Sequence, residues 1–104
     1  MVRYHLLQNG ILVGNRFLFI TDKEDKLRLW WIKEVLKHAY NAIGQGVDLK
    51  GYFYWSLIDN YEWAEGFWPK FGLVNIDRQN NLKRIPRKSF YEYAKICKDN
   101  YVEI

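Results

Sequence analysis

Between Gly51 and Leu73 the sequence reads GYFYWSLIDNYEWAEGFWPKFGL. Tyr52, Phe53, Tyr54, Trp55, Tyr61, Trp63, Phe67, Trp68 and Phe71 share this stretch with Asp59, Glu62 and Glu65. A core strand does not carry such acids, and a solvated loop does not ordinarily carry so many large rings. Flat rings can stack on the apolar C–H face of a sugar. Carboxylates beside them can accept hydrogen bonds from paired hydroxyls, and an indole N–H can donate one. The mixture suits a carbohydrate better than a purely apolar ligand. Burying a Glu between aromatic rings is costly without a polar partner, so Trp55, Glu62 and Trp63 are read as binding groups. Phe53, Tyr61 and Phe67 are read as rings that pack the loop down.

The elements that position this stretch follow from the pattern on either side. RFLFIT (16–21) has the length and apolarity of a buried strand. Thr21 and Glu24 have the spacing of a capping box, and a helix is expected over 23–43. Leu29, Ile32, Leu36, Ala39 and Ile43 form its apolar stripe, with Val35 and Tyr40 beside them. Gly44 and Gly46 are its stop signals. YFYWSL (52–57) reads as a second buried strand. Strand, helix and strand in this order fit a parallel βαβ unit. FGLVNID (71–77) and LKRI (82–85) flank polar RQNN and predict a hairpin. A last helix follows Pro86, with Phe90, Tyr93, Ala94 and Cys97 facing inward. In a parallel α/β architecture, ligand-binding groups gather at the carboxyl ends of strands, which is where the aromatic stretch begins.

Composition bounds the alternatives. The chain has 104 residues, suited to a single domain, with 49% hydrophobic residues and a net charge of +4. Lys83, Arg84, Arg87 and Lys88 supply much of the basic excess and read as a solvated helix start. No aromatics interleave with them, so a nucleic-acid platform is not expected. Cys97 is the single cysteine, which excludes an internal disulfide and fits a reducing, cytoplasmic setting. It reads as a small buried hydrophobe. His5 and His38 lack metal-ligand spacing. No apolar run is long enough to span a membrane. No cofactor, metal, nucleic acid or membrane partner is expected.

WSLIDNYEWAEGFWPKFGLVNID resembles the C-terminal signature of glycoside hydrolase family 1, the retaining β-glucosidases and β-galactosidases. The likeness extends through LRLWWIKEVLKHAYNAIGQGVDLKGYF and RIPRKSFYEYAKI, about residues 16–98, and by eye is greatest to archaeal members. It implies an α/β fold, a partial (β/α)8 (TIM) barrel holding the last two β/α units. RFLFIT would be strand seven, YFYWSL strand eight and 87–98 the last helix. It also implies site roles. Trp55 would lie under the glycone ring, Glu62 would hold two of its hydroxyls, Trp63 would donate to a third, and Phe71 would line the same subsite. Ser56, Asp59 and Asn60 match the signature as structural residues. The implied partner is a β-linked glucose- or galactose-type sugar.

Retaining hydrolysis needs a nucleophilic carboxylate and an acid/base carboxyl about 5–5.5 Å apart. The family's acid/base lies in Asn-Glu-Pro, which does not occur in this sequence. Its nucleophile lies in Ile-Thr-Glu-Asn-Gly. Either that Glu-Asn-Gly is deleted after Thr21, the alignment favoured here, or LLQNG (6–10) occupies the position with Gln8 in place of the Glu. A Gln amide does not form the glycosyl ester, and Asp22 and Glu24 read as helix-start residues. The expectation is a chain without catalytic residues, inactive alone. Two barrel strands would leave open edges and an uncovered apolar face, so completion by self-association or by an N-terminal barrel partner is expected. The alternatives are one chain of a split glycosidase, or an oligomeric scaffold without a ligand.

Overall fold

The computed structural model describes residues 24–103. Helix α1 spans Lys26–Gly44, strands β1 (Val74–Asp77) and β2 (Lys83–Pro86) form a hairpin, and helix α2 spans Lys88–Asp99. RFLFIT, Thr21, Asp22 and Gln8 lie outside the described residues.

α1 follows its apolar stripe, with Ile32 and Val35 buried at its centre. Its C-terminus closes as a Schellman motif. Gly46 takes φ 87°, its N–H donates to the Ile43 carbonyl at 2.9 Å, and Val47 N–H donates to the Ala42 carbonyl at 3.0 Å. The stripe ends earlier than expected, since Tyr40 and Ile43 are exposed. The helix starts later than expected. α1 begins at Lys26 with Asp25 as N-cap, so Glu24 precedes the helix and pairs with Lys26.

Asp25 serves a different end of the fold. Its carboxylate pairs with Arg28 one turn along and also accepts the Ser89 N–H at 2.5 Å. A residue 64 positions away thereby satisfies a free amide in the first turn of α2. Arg28, fully buried, also donates to the Lys70 carbonyl at 2.7 Å. One buried ion pair thus ties α1, the end of the aromatic loop and α2 together.

The hairpin forms as the sequence predicts, antiparallel with Val74 opposite Pro86 and Asp77 opposite Lys83. β1 contributes Val74 and Ile76 to the core beside Phe71 and Leu73, while β2 is exposed throughout. Asp77 fixes the turn by accepting the Gln79 and Asn80 N–H groups and the Asn80 side-chain amide. The amide bond, first among the causes, holds its carboxyl below the usual range.

Residues 52–57 correct the strand expectation. No strand forms: the chain bends at Trp55 and Leu57, and among the described residues the one ladder contact is a parallel bridge just beyond the segment, Ile58 to Val74. A strand needs neighbours on its hydrogen-bonding edges, and the described residues supply only the edge of β1 here. Nor is the segment buried on both faces. Tyr52 and Tyr54 are partly covered and Ser56 is buried, alternating with Phe53, Trp55 and Leu57, which are exposed.

α2 packs a shorter face than expected. Ser89 is buried, and Phe90, Tyr93 and Ile96 are half-covered, but Ala94 and Cys97 face solvent. The inward stripe steps from Tyr93 to Ile96 by three residues rather than to Cys97 by four. Tyr93 meets Tyr52 and Tyr54 at ring-centroid distances of 6.3 and 6.2 Å, and its hydroxyl donates to the Tyr52 carbonyl at 3.3 Å. Burial pushes the phenols of Tyr52, Tyr54 and Tyr93 upward, Tyr54 to about 12. Among the described residues, no helix is long and apolar enough to cross a membrane.

Candidate functional site

The aromatic loop departs from and returns to one point. Leu73 N–H donates to the Ser56 carbonyl, Val74 N–H to the Leu57 carbonyl and Asp59 N–H to the Val74 carbonyl, at 2.9, 2.9 and 3.1 Å. Asp59 then accepts the Gly72 N–H at 2.9 Å and the Ile76 N–H at 3.4 Å. Arg87 meets both its carboxylate oxygens at 2.9 Å. Asn60 donates to Ser56 Oγ at 2.8 Å and to the Ile58 carbonyl at 2.9 Å. Ser56, Asp59 and Asn60 are therefore structural, as the sequence suggests. Residues 60–71 form an excursion whose two ends are held together, the construction of an Ω-loop.

A glycine is required where the ends meet. A Cβ on Gly72 would lie 2.3 Å from both the Asp59 nitrogen and the Ile58 carbonyl carbon. Within the excursion, a single 3-10 turn covers Trp63–Glu65. It is closed by the Glu62 N–H donating to the Gly66 carbonyl at 2.8 Å and the Gly66 N–H donating to the Trp63 carbonyl at 3.0 Å.

The four residues singled out from the sequence occupy different environments. Trp55 is half exposed, and the peptide bond that follows it is cis. Trp63 is 82% exposed and holds a left-handed backbone at φ 46°, unusual for a bulky side chain. Glu62, between them, is partly covered. Phe71 is only 4% exposed, and its carbonyl accepts the Tyr54 hydroxyl at 2.9 Å. Phe71 thus packs the core beneath the Trp55 segment, while Trp55, Glu62 and Trp63 belong to the solvent-facing part of the loop.

Among the rings read as packing, Tyr61 and Phe67 stack edge-to-face at 5.2 Å, with the Arg78 guanidinium 3.7 Å from the Phe67 ring centroid. Phe53 does not pack; it is 81% exposed, because the alternation that turns Tyr52 and Tyr54 inward turns it out. Trp68 donates its indole N–H to Glu65 at 2.9 Å, a ring–carboxylate pair that the sequence reading left aside although both residue types stood in the same stretch. Arg87 was also missed. It stands in a basic run, KRIPRK, whose other cations Lys83, Arg84 and Lys88 are exposed. Only its partner across 28 residues sets it apart.

Exposed indoles beside a carboxylate can stack on a sugar face and exchange hydrogen bonds with its hydroxyls. No group of three or more His, Cys, Asp or Glu with metal-site geometry occurs among the described residues.

The sequence pattern of glycosyl hydrolase family 1 matches residues 2–102. The chain belongs to that family. It is 48% identical over 75 residues to Beta-glucosidase 42 of Arabidopsis thaliana, covering 72% of this chain and 15% of that protein. It superposes on a beta-glycosidase from Pyrococcus horikoshii with a TM-score of 0.74 at 45% identity, covering 79% of this chain and 19% of the other. It superposes on the Beta-glucosidase from Thermotoga maritima in complex with castanospermine with a TM-score of 0.73 at 44% identity, covering 78% of this chain and 18% of that one. The chain spans between 12% and 18% of the length of the curated relatives it matches. The family 1 resemblance therefore holds, as a match over part of the length of its relatives.

Proposed function

We propose that this chain carries part of the glycone subsite of a family 1 β-glycosidase and, by itself, binds a β-linked glucose- or galactose-type sugar without hydrolysing it. Trp55 stacks under the ring, Glu62 accepts from two hydroxyls and Trp63 donates to a third. Phe71 supports the Trp55 segment from below. The observation that carries this reading is Trp63. A large ring held in left-handed backbone and left 82% in solvent does not serve packing. A local strain of order 1–3 kcal/mol that packing does not explain is a reason to look for a ligand. The sugar-like ligand in the related Thermotoga maritima structure is consistent with it.

The chain alone supplies neither an Asn-Glu-Pro acid/base nor a Glu at the nucleophile position, so the displacement at the anomeric carbon has no carboxylate to drive it. Phe53, Leu57 and Ile58 are exposed in the same segment, an apolar face of the kind that marks an interaction surface. That face favours completion of the barrel by an N-terminal partner chain or by a second copy. Hydrolysis of a nitrophenyl β-glucoside by the purified chain tests the catalytic half of the proposal. No turnover is expected from the chain alone. Turnover that survives Glu62→Ala and is abolished by changing Asp22 or Glu24 would overturn it.

A further inference from the structure

We propose that Asp59 and Arg87 are positioning residues for the sugar-binding face, a salt link that sets where Trp55, Glu62 and Trp63 stand without touching the sugar. The inference rests on the subsite reading above. Asp59 lies four residues after Trp55 and three before Glu62, at the point where the loop leaves the fold. Its side chain is 2% exposed, and its carboxylate receives Gly72 N–H, Ile76 N–H and both terminal nitrogens of Arg87. A carboxylate so enclosed has no lone pair directed to solvent and acts only through what it holds.

Arg87 closes the other side. One terminal nitrogen bridges Asp59 and the Gly72 carbonyl, the latter at 2.5 Å; the second bridges Asp59 and Asn75 Oδ1, at 2.9 and 3.4 Å. Asp59 and Gly72 are the two ends of the loop, so a single guanidinium spans its mouth from the N-cap of α2. A second brace acts farther out, where Arg78 in the hairpin turn covers Phe67. The helical part of the fold has its own link, Asp25 with Arg28 and Ser89. That link reaches the loop only near its end, at the Lys70 carbonyl, whereas Asp59 and Arg87 hold its base. Lysine cannot replace Arg87, because one ammonium cannot meet two carboxylate oxygens and two further acceptors in this planar arrangement. Asn at position 59 keeps an oxygen for Gly72 but leaves the largely covered guanidinium without its countercharge.

The test uses the full chain labelled with fluorotryptophan, as wild type, Arg87→Lys, Asp59→Asn and the exposed neighbour Arg84→Ala. Two quantities are read. The first is affinity for methyl β-glucoside; the second is the fluorine resonances of Trp55 and Trp63 against those of Trp30 and Trp31 in α1. Arg87→Lys and Asp59→Asn should each weaken sugar binding about tenfold or more, as misplaced contacts do. They should shift or broaden Trp55 and Trp63 while leaving Trp30 and Trp31 in place, and Arg84→Ala should match wild type. Unmoved Trp55 and Trp63 in both variants would overturn the inference. So would a common shift of all four resonances, which reports general loss of fold. If wild type binds no sugar, the subsite reading fails, and the selective resonance shift alone then decides whether Asp59 and Arg87 position the loop.

Discussion

Replacing Gly72 by alanine should destabilise the chain far more than its single methyl group suggests. The added Cβ would sit 2.3 Å from two backbone atoms, the Asp59 nitrogen and the Ile58 carbonyl carbon, and 2.9 Å from Ile58 Cα. None of these is the movable end of a side chain, so the loop base itself must open. Overpacking of a rigid site costs about 1–3 kcal/mol. Opening it also lengthens the Gly72 N–H bond to the Asp59 carboxylate, and hydrogen bonds to charged groups contribute about 1.5–3 kcal/mol. A loss of about 2–5 kcal/mol is expected, against about 5–15 kcal/mol for the total stability of a domain this size. With a urea slope of about 1.5 kcal/mol/M, the unfolding midpoint should fall by roughly 1–3 M. Gly44→Ala is the matched control. Its Cβ would meet nothing within 4 Å, and alanine is favoured over glycine in a helix by up to about 1 kcal/mol. Equal midpoints for the two variants would refute the closed loop base.

Four further outcomes follow from the same geometry. Asp25→Ala breaks the buried pair with Arg28 and removes the acceptor of the Ser89 N–H and should cost about 3–5 kcal/mol in urea unfolding, whereas Glu24→Ala, at an exposed pair, should cost under about 1 kcal/mol. Trp63→Gly relieves a left-handed backbone and gives up little burial, so stability should hold or rise by up to about 1 kcal/mol while sugar binding is lost. Burial raises the Tyr54 phenol to about 12, above the value near 10 of an unfolded chain. The unfolded state therefore releases its proton first, and the Tyr54 contribution to stability is full below about pH 10 and lost between about 10 and 12. Tyrosinate absorbance should show late-titrating groups, one fewer of them in Tyr54→Phe. Cys97 is exposed and should react with a thiol reagent in the native protein about as fast as in urea.

What could be read from sequence was local. The α1 stripe and its glycine stop, and the hairpin around RQNN, depend on neighbours a few residues apart. Residues 52–57 were expected as a buried strand, yet only alternate positions, Tyr52, Tyr54 and Ser56, are covered. The strand they were expected to form did not appear, because pairing is a property of a second segment. α2 was misjudged by one step, since Ile96 and Cys97 are both apolar and only packing against α1 and the tyrosines decides between them. Two long-range side-chain links were hidden for a stronger reason. Asp25 reaches Ser89, and Asp59 reaches Arg87, and nothing local distinguishes these acids and bases from solvated ones.

The most direct measurement is tryptophan fluorescence of the purified chain titrated with glucose, galactose and methyl β-glucoside. The account predicts a saturable change for at least one of them, abolished by Glu62→Ala in a protein that keeps its helical circular dichroism. A flat response from a folded wild-type chain, or saturation unaltered by Glu62→Ala, would contradict it.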